Sequence, residues 1–443
     1  MIRHIKGTSR KTTVALLSTF FSLSAFAQEV DIPHQFSPST PAKAEEVNEN
    51  FAFLGSRLAE VLERFEASPA DNHVFQKYVN CAENPYGLRD AYAEGLEYTF
   101  ISLVIEGACY GNFKAGVGAK RGQHIQLTGV AATGESNPRI IPEPISQRTN
   151  LFSVDGGLYL YRLQLEMGEN DSNGVFFANN ATGILQTVTI SGRGISAGIR
   201  ATEGASVRVV ATNIDNFDFG ISGINAANFQ ISDVLITSVN TGIDLNNSTV
   251  QQNGDVEVHA AQFAAMINTS SWNNWDSQLM TLGQGSIHLN RGSTYSARYL
   301  VNQSHISINA SNVIVSEHIT ANSLSANRQS FLELGGGTIA AKLDVGRNAT
   351  VDLNNVTTND VAISDYATLR SRDSTYQGNL QVNSASASFE GSVSIDLSRV
   401  RCTGFSHIDM QSVDWLNDHP ETRCLTSTDV YRLYDVFRDA LIN

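Results

Sequence analysis

The sequence predicts an all-β fold, a parallel β-helix solenoid with a short N-terminal helical segment and a cap at each end. Three observations carry this expectation. A Gly-Ile pair recurs at 22-residue intervals, at Gly198-Ile199, Gly220-Ile221 and Gly242-Ile243. Short apolar-x-apolar segments recur every twenty or so residues through the C-terminal half. Between them stand Asn, Gly and Ser, which favour turns over helices.

The chain opens on an export pattern, residues 1–27. Arg3, Lys6, Arg10 and Lys11 make a basic start, Val14 to Phe26 an apolar stretch, and Ala25-Phe26-Ala27 a small-x-small site, so cleavage is expected after Ala27. The stretch is too short to span a bilayer and no second one follows, so no transmembrane segment is expected. Residues 28–72 read as a linker and a helix. Ala44, Val47, Phe51, Leu54, Leu58, Val61 and Phe65 recur at alternating three- and four-residue steps, a heptad seam flanked by charges. Two readings stand: a stalk that forms a homo-oligomer through residues 44–65, or a helix docked on the solenoid end. The segment Pro41 to Phe51 resembles a leader of exported bacterial and phage-type fibre proteins, which favours oligomerisation.

Residues 73–120 are expected to form the N-terminal cap and first coil, with a strand over Val74 to Cys81, a helix over Pro85 to Glu97 and a strand over Tyr98 to Ile105. Residues 121–416 carry the repeats. Val207, Val209, Ile214 and Phe217 are matched 22 residues later by Phe229, Ile231, Ile236 and Val239. Farther on, apolar-x-apolar segments start at Ile287, Ile306, Leu332, Val351, Leu369, Ala387 and Ile408, at intervals of 19, 26, 19, 18, 18 and 21 residues. Short strands at Leu324, Leu343 and Val361 sit eight residues ahead of Leu332, Val351 and Leu369. One coil per unit fits this spacing, each coil covering the apolar floor of the last. The middle residues vary freely, from His288 to Glu333, Asp352 and Arg370, as outward positions should. Asn290, Asn309 and Asn354 suggest a partial asparagine ladder at a turn. A β-sandwich or barrel is the alternative fold; leucine-rich and helical solenoids lack support in the apolar pattern. In residues 417–443, a capping-box pattern at Thr426 to Asp429 and an apolar face from Val430 to Leu441 predict a helix over the last coil.

The chain carries 30 Lys+Arg against 44 Asp+Glu, a net charge of −14, and the leader removes only basic residues. That balance argues against nucleic acid or an anionic membrane as partner. The four cysteines form two local pairs, Cys81 with Cys109 and Cys402 with Cys424, which predicts a disulfide in each, as in exported proteins. By loop entropy each contributes roughly 3–4 kcal/mol. No close Cys/His pair has ligand spacing, so no metal and no cofactor are expected.

The arrangement of Cys81, Leu88, Ala91 and Ile105 to Cys109, followed by the coils, resembles the pectate-lyase-like superfamily over roughly residues 73–443. The resemblance implies a right-handed parallel β-helix whose first coil is plugged by a helix. Its members include polysaccharide lyases, glycoside hydrolases, adhesins and fibre proteins, so motifs must decide function. The hydrolase signatures are absent: there is no Asp-Asp, no His-Gly and no Arg-Ile-Lys, and Thr358-Asn359-Asp360 has the wrong order. Arg139 to Arg148 departs from the lyase spacing and reads as a loop. Glu333, Asp352 and Arg370, one coil apart, read as alternating solvated charges on a strand face, with a small charged site as the alternative. Five dispersed histidines, His259, His288, His305, His318 and His407, read as surface or turn residues.

The leading binding candidate is the polar segment Ser270 to Asp276. It holds Trp272, Trp275 and Asp276, two of the chain's three tryptophans, and exposed indoles stack on sugar faces while Asn and Asp bond hydroxyls. The competing reading has these rings anchoring a loop against the solenoid wall. The expectation is a secreted or surface-exposed protein, non-catalytic and adhesin-like, whose partner is a polysaccharide or cell-surface glycan. A polysaccharide lyase or glycoside hydrolase and a structural fibre component are the alternatives.

Overall fold

The computed structural model describes residues 43, 47–53, 56, 74–115, 122–131, 136–143, 150–168, 173–281, 285–410 and 424, with backbone alone at 275–281 and 410. The chain divides into two compact units, Met1–Asp71 and Asn72–Asn443. In the first, residues 47–53 and 56 are helical. The export leader, the remainder of the heptad seam and the expected helix after Thr426 lie outside the described residues.

The second unit is a parallel β-solenoid of about 14 turns. Every strand pairing is parallel, and each coil contributes one strand to each of three sheets. In one representative coil the first sheet takes Asn228 to Ile231, the second Val234 to Ile236 and the third Thr241 to Asn246. Val207 lies directly against Phe229, Val209 against Ile231 and Ile214 against Ile236, so the 22-residue repeat is the coil itself. Parallel pairing lets the coils above and below satisfy the backbone N–H and C=O groups of the strands.

The core follows from the alternation within each strand. On the third sheet Ile199, Ile221, Ile243, Ala265, Ile287 and Ile306 form one continuous inward file, with Leu324, Leu343 and Val361 continuing it. All are buried. The glycine of each Gly-Ile pair makes room inside the coil. A Cβ at Gly198, Gly220 or Gly242 would stand 2.4, 2.5 or 2.2 Å from the side chains of Ile214, Ile236 and Val258.

That file corrects the reading of the C-terminal repeats as one series. Ile287 and Ile306 belong to the third sheet, whereas Leu332, Val351, Leu369, Ala387 and Ile408 stack on the first, following Val313. The 26-residue interval between Ile306 and Leu332 is thus a change of sheet. Asn290 and Asn309 do form a ladder, which runs from Asn246 through Asn268 to Asn327, with Asn290 Nδ2 donating to Asn268 Oδ1 at 3.3 Å. Asn354 ends a strand of the first sheet instead, beside Arg372. Just past the asparagine ladder a serine file turns the corner. Ser248 N donates to Ser270 Oγ at 3.0 Å, and Ser270 N to Ser293 Oγ at 3.4 Å. These hydroxyls meet backbone groups that the bend takes out of the ladder.

At the N-terminal end the strand Val74–Asn80 pairs with Phe100–Glu106, and between them the helix Gly87–Gly95 buries Leu88 and Ala91. The helix is shorter at both ends than the sequence suggested. Tyr92 meets Phe113 edge-to-face, with ring centroids 5.8 Å apart. Cys81 and Cys109 sit at disulfide distance here, as do Cys402 and Cys424 near the other end. Among the described residues no helix is long and apolar enough to cross a membrane.

Phe229→Ala should test the layered core. Removing this fully buried ring is expected to cost about 3–5 kcal/mol, read as a lowered urea midpoint, because the rungs on either side are too rigidly paired to close the void.

Candidate functional site

Trp272 is fully buried, which corrects its assignment to an exposed platform. It occupies an inward file of the first sheet, between Val250 and Tyr295, and meets the Tyr295 ring edge-to-face at 5.8 Å. Its indole nitrogen donates to Gln252 Oε1 at 3.0 Å, and Gln252 is itself buried. The polar neighbours that suggested a surface segment instead line this interior: Asn274 and Asn302 are buried too, and burial drives the Tyr295 phenol well above its ordinary pKa. Residues 275–277, which include Trp275 and Asp276, lie opposite the single residue Arg298 of the next coil, where the first sheet turns toward the second. Their side chains lie outside the described residues.

The side chains that reach solvent on the first sheet are set by its pleat. One outward file reads Gln126, Tyr159, Ile184, Arg208, Gln230, Gln251, Asn273, Ser296, Ile314, Glu333, Asp352, Arg370 and Ser388. Beside it runs a second file that includes Thr182, Ser206, Asn228, Thr249, Ser271, Thr294 and Asn312. From the rung of Gly157 to that of Asn312 no outward position of this sheet carries a carboxylate among the described side chains, although the chain has 44 acidic residues.

Among the grooves of this face, two border aromatic or charged side chains. The first, of about 410 Å³, is bordered by His124, Gln126, Tyr159, Ile184, Arg208 and Gln230. Tyr159 and Tyr161 point outward from the same strand with their rings stacked at 6.3 Å, and Tyr159 Oη donates to Gln186 Oε1 at 3.3 Å. The Arg162 guanidinium covers the Tyr161 ring at 5.0 Å. Gly157 makes room for the His124 ring at the groove's edge, since a Cβ there would stand 1.8 Å from His124 Nδ1. Ile184 exposes 39% of its surface, an apolar floor flanked by amides and an aromatic ring. Apolar surface with a few placed hydrogen-bonding groups suits the faces and edges of a pyranose.

The second groove, of about 620 Å³, surrounds Glu333, Asp352 and Arg370. Here the sequence placed the residues correctly: Glu333, Asp352, Arg370 and Ser388 are successive rungs of one file. Arg370 stands 3.9 Å from Asp352 Oδ2, and Arg372 pairs with Glu390 at 2.7 Å on one side. The Tyr159 groove was missed. Its signal, the alternating Tyr159 and Tyr161 on one strand, precedes the regular repeats.

The outer face of the third sheet carries His288 and His305, half-buried in strands. His305 bonds Ser323 Oγ at 2.8 Å and Ser325 Oγ at 3.1 Å; His288 bonds Ser286 Oγ at 3.0 Å. Burial lowers both pKa values, and for His288 the neighbouring His305 lowers it further; Asp344 partly offsets the effect at His305. Among the described residues no three His, Cys, Asp or Glu side chains converge as metal ligands.

No protein-family model matches the chain, and no curated protein matches it.

Two outcomes follow. Trp272→Phe, which removes the donor to Gln252, should destabilise the fold by about 1–3 kcal/mol in urea and leave surface binding unchanged. Both histidines hold fewer protons folded than unfolded, so their contribution is complete above the ordinary pKa of 6.5 and is lost as pH falls through the lowered folded values. The urea midpoint should therefore drop between pH 7.5 and 5, and His288→Gln with His305→Gln should flatten that drop.

Proposed function

We propose that the protein is an exported, non-catalytic carbohydrate-binding solenoid of the pectate-lyase-like kind, adhesin-like in role, whose ligand lies along the outer face of the first sheet. The observation that carries this reading is a stretch of that face whose described side chains include no carboxylate, in an otherwise acidic chain. Hydroxyl and amide side chains repeat there once per coil, spaced about 4.8 Å apart. A regular row of uncharged donors and acceptors suits an extended polymer whose own groups repeat. The Tyr159 groove adds an aromatic and aliphatic anchor of the kind that dominates binding energy.

Export follows from the leader pattern over residues 1–27, with the mature chain beginning at Gln28. The paired cysteines fit an oxidising compartment. A polysaccharide lyase or glycoside hydrolase is the second reading, favoured by one observation: two carboxylates, Glu333 and Asp352, lie on adjacent rungs with Arg370 next to them. Reducing ends or unsaturated products released from a polysaccharide panel would support it.

Replacing Tyr159 and Tyr161 together by Ala tests the binding reading. Retention on immobilised polysaccharides should fall by about tenfold or more, the loss of one or two aromatic contacts, with the thermal midpoint little changed. Undiminished retention would remove the first-sheet face as the site.

A further inference from the structure

We infer that one corner of the solenoid, the bend from the third sheet to the first between Arg291 and Phe405, docks on a lipid bilayer whose headgroups carry negative charge. This goes beyond the carbohydrate reading and does not rest on it.

Each coil here makes the bend with a residue in the left-handed region. Backbone hydrogen bonds from coil to coil set Arg291, Arg328, Arg347, Asp365 and Gly404 in one file, with Ala310 and Ser384 between them. The file covers six coil steps, about 29 Å. Asparagine and glycine adopt this backbone most readily, and Asn225 and Asn247 hold the same place in earlier coils. Arginine has no such conformational reason to stand there. Arg291, Arg328 and Arg347 are exposed and have no ion-pair partner among the described residues. By contrast Arg370, Arg372 and Arg399 elsewhere on the same coils each face a carboxylate within 4 Å.

Aromatic rings stand on the same bend. Tyr366 follows Asp365, and Phe405 follows Gly404. They expose 78% and 89% of their surface, more than any other large hydrophobic side chain described in this unit. Rings at headgroup depth, beside guanidinium groups that meet lipid phosphates, are the two contributions that hold a protein on a membrane surface.

Shape favours a bilayer over a soluble acidic polymer. The arginines and rings lie on an outward bend, in a line along the solenoid axis, which meets a plane over its whole length. A single chain gains most from a concave groove that closes round it. The net charge of −14 opposes an anionic surface. On this file, however, Asp365 alone is acidic, and charges farther off than about 8 Å are screened in physiological salt. Each arginine at such a surface is worth about fivefold in partition, and three about a hundredfold. Docked by this corner, the solenoid axis runs along the membrane and the first-sheet face stays open at one side.

Flotation of the mature protein with phosphatidylcholine vesicles, with and without about one-third phosphatidylglycerol, tests this. The protein should float with the anionic vesicles only, and less so as salt is raised. Arg328→Gln with Arg347→Gln should weaken flotation by about tenfold or more and leave the thermal midpoint unchanged. Phe405→Trp adds a reporter, measured against the emission of the unaltered protein. On anionic vesicles the introduced indole should shift to the blue and be quenched by brominated lipid. No flotation, flotation indifferent to the arginine pair, or an indole that stays unquenched would overturn the membrane assignment. Polygalacturonate that binds through the same arginines and displaces the vesicles would overturn it in favour of an acidic polymer. Lipid and salt dependence are read on the unaltered protein and need no variant.

Discussion

Stacking of each coil on the next, through backbone ladders and inward apolar files, is the constraint on which the rest of this structure depends. A strand such as Phe331–Leu334 has four residues and no stability of its own; Val313 and Val315 below it and Val351 and Leu353 above it supply both its core and its hydrogen bonds. Because the strands are parallel and in register, one residue per coil recurs at the same place on the surface. The outward files are therefore by-products of the inward ones. Outward positions recur along the solenoid at the rung spacing, whatever residue each coil places there.

The coils are not all of one size. Successive first-sheet partners are 21–23 residues apart from Val207 to Tyr295, then 18 from Tyr295 to Val313 and 19 from there to Leu332. The corners around the second sheet shorten: Val258 and Phe263 are separated by four residues, Ala321 and Ser323 by one. Trp272, Tyr295, Gln252, Asn274 and Asn302 are buried at this change of size. Large rings fill the wider cross-section where it narrows, and polar side chains reach backbone that the altered corners expose. Asn302, for example, donates to the His305 carbonyl at 3.3 Å and accepts from Ser304 N at 3.1 Å. Such partners lower the cost of burying polar groups.

The two grooves lie on opposite sides of this transition and differ in chemistry. The first is built on the wider coils, with a tyrosine, an isoleucine, amides and one guanidinium; the second on the narrower ones, with carboxylates as well as guanidinium groups. They share one sheet and one outward file, and the proposal of an extended ligand rests on this continuity and not on either groove alone.

The sequence by itself determined the winding of the chain into layers, the inward or outward direction of most strand residues, and the pairing of its four cysteines. Each of these depends on contacts one coil away, and the 22-residue period and two-residue alternation state that relation directly. Only the tertiary structure decided which sheet a strand joins. That choice accumulates over corner lengths, so Ile306 and Leu332 look alike in sequence and lie on different faces. It also decided that Trp272 is core, because the Gln252 that satisfies its indole comes from the preceding coil and leaves no mark in the polar stretch around the ring. The second groove was visible in outline as Glu333, Asp352 and Arg370. The first was not, since it is assembled from irregular early coils whose lengths hide the register that brings Tyr159, Ile184 and Arg208 into line.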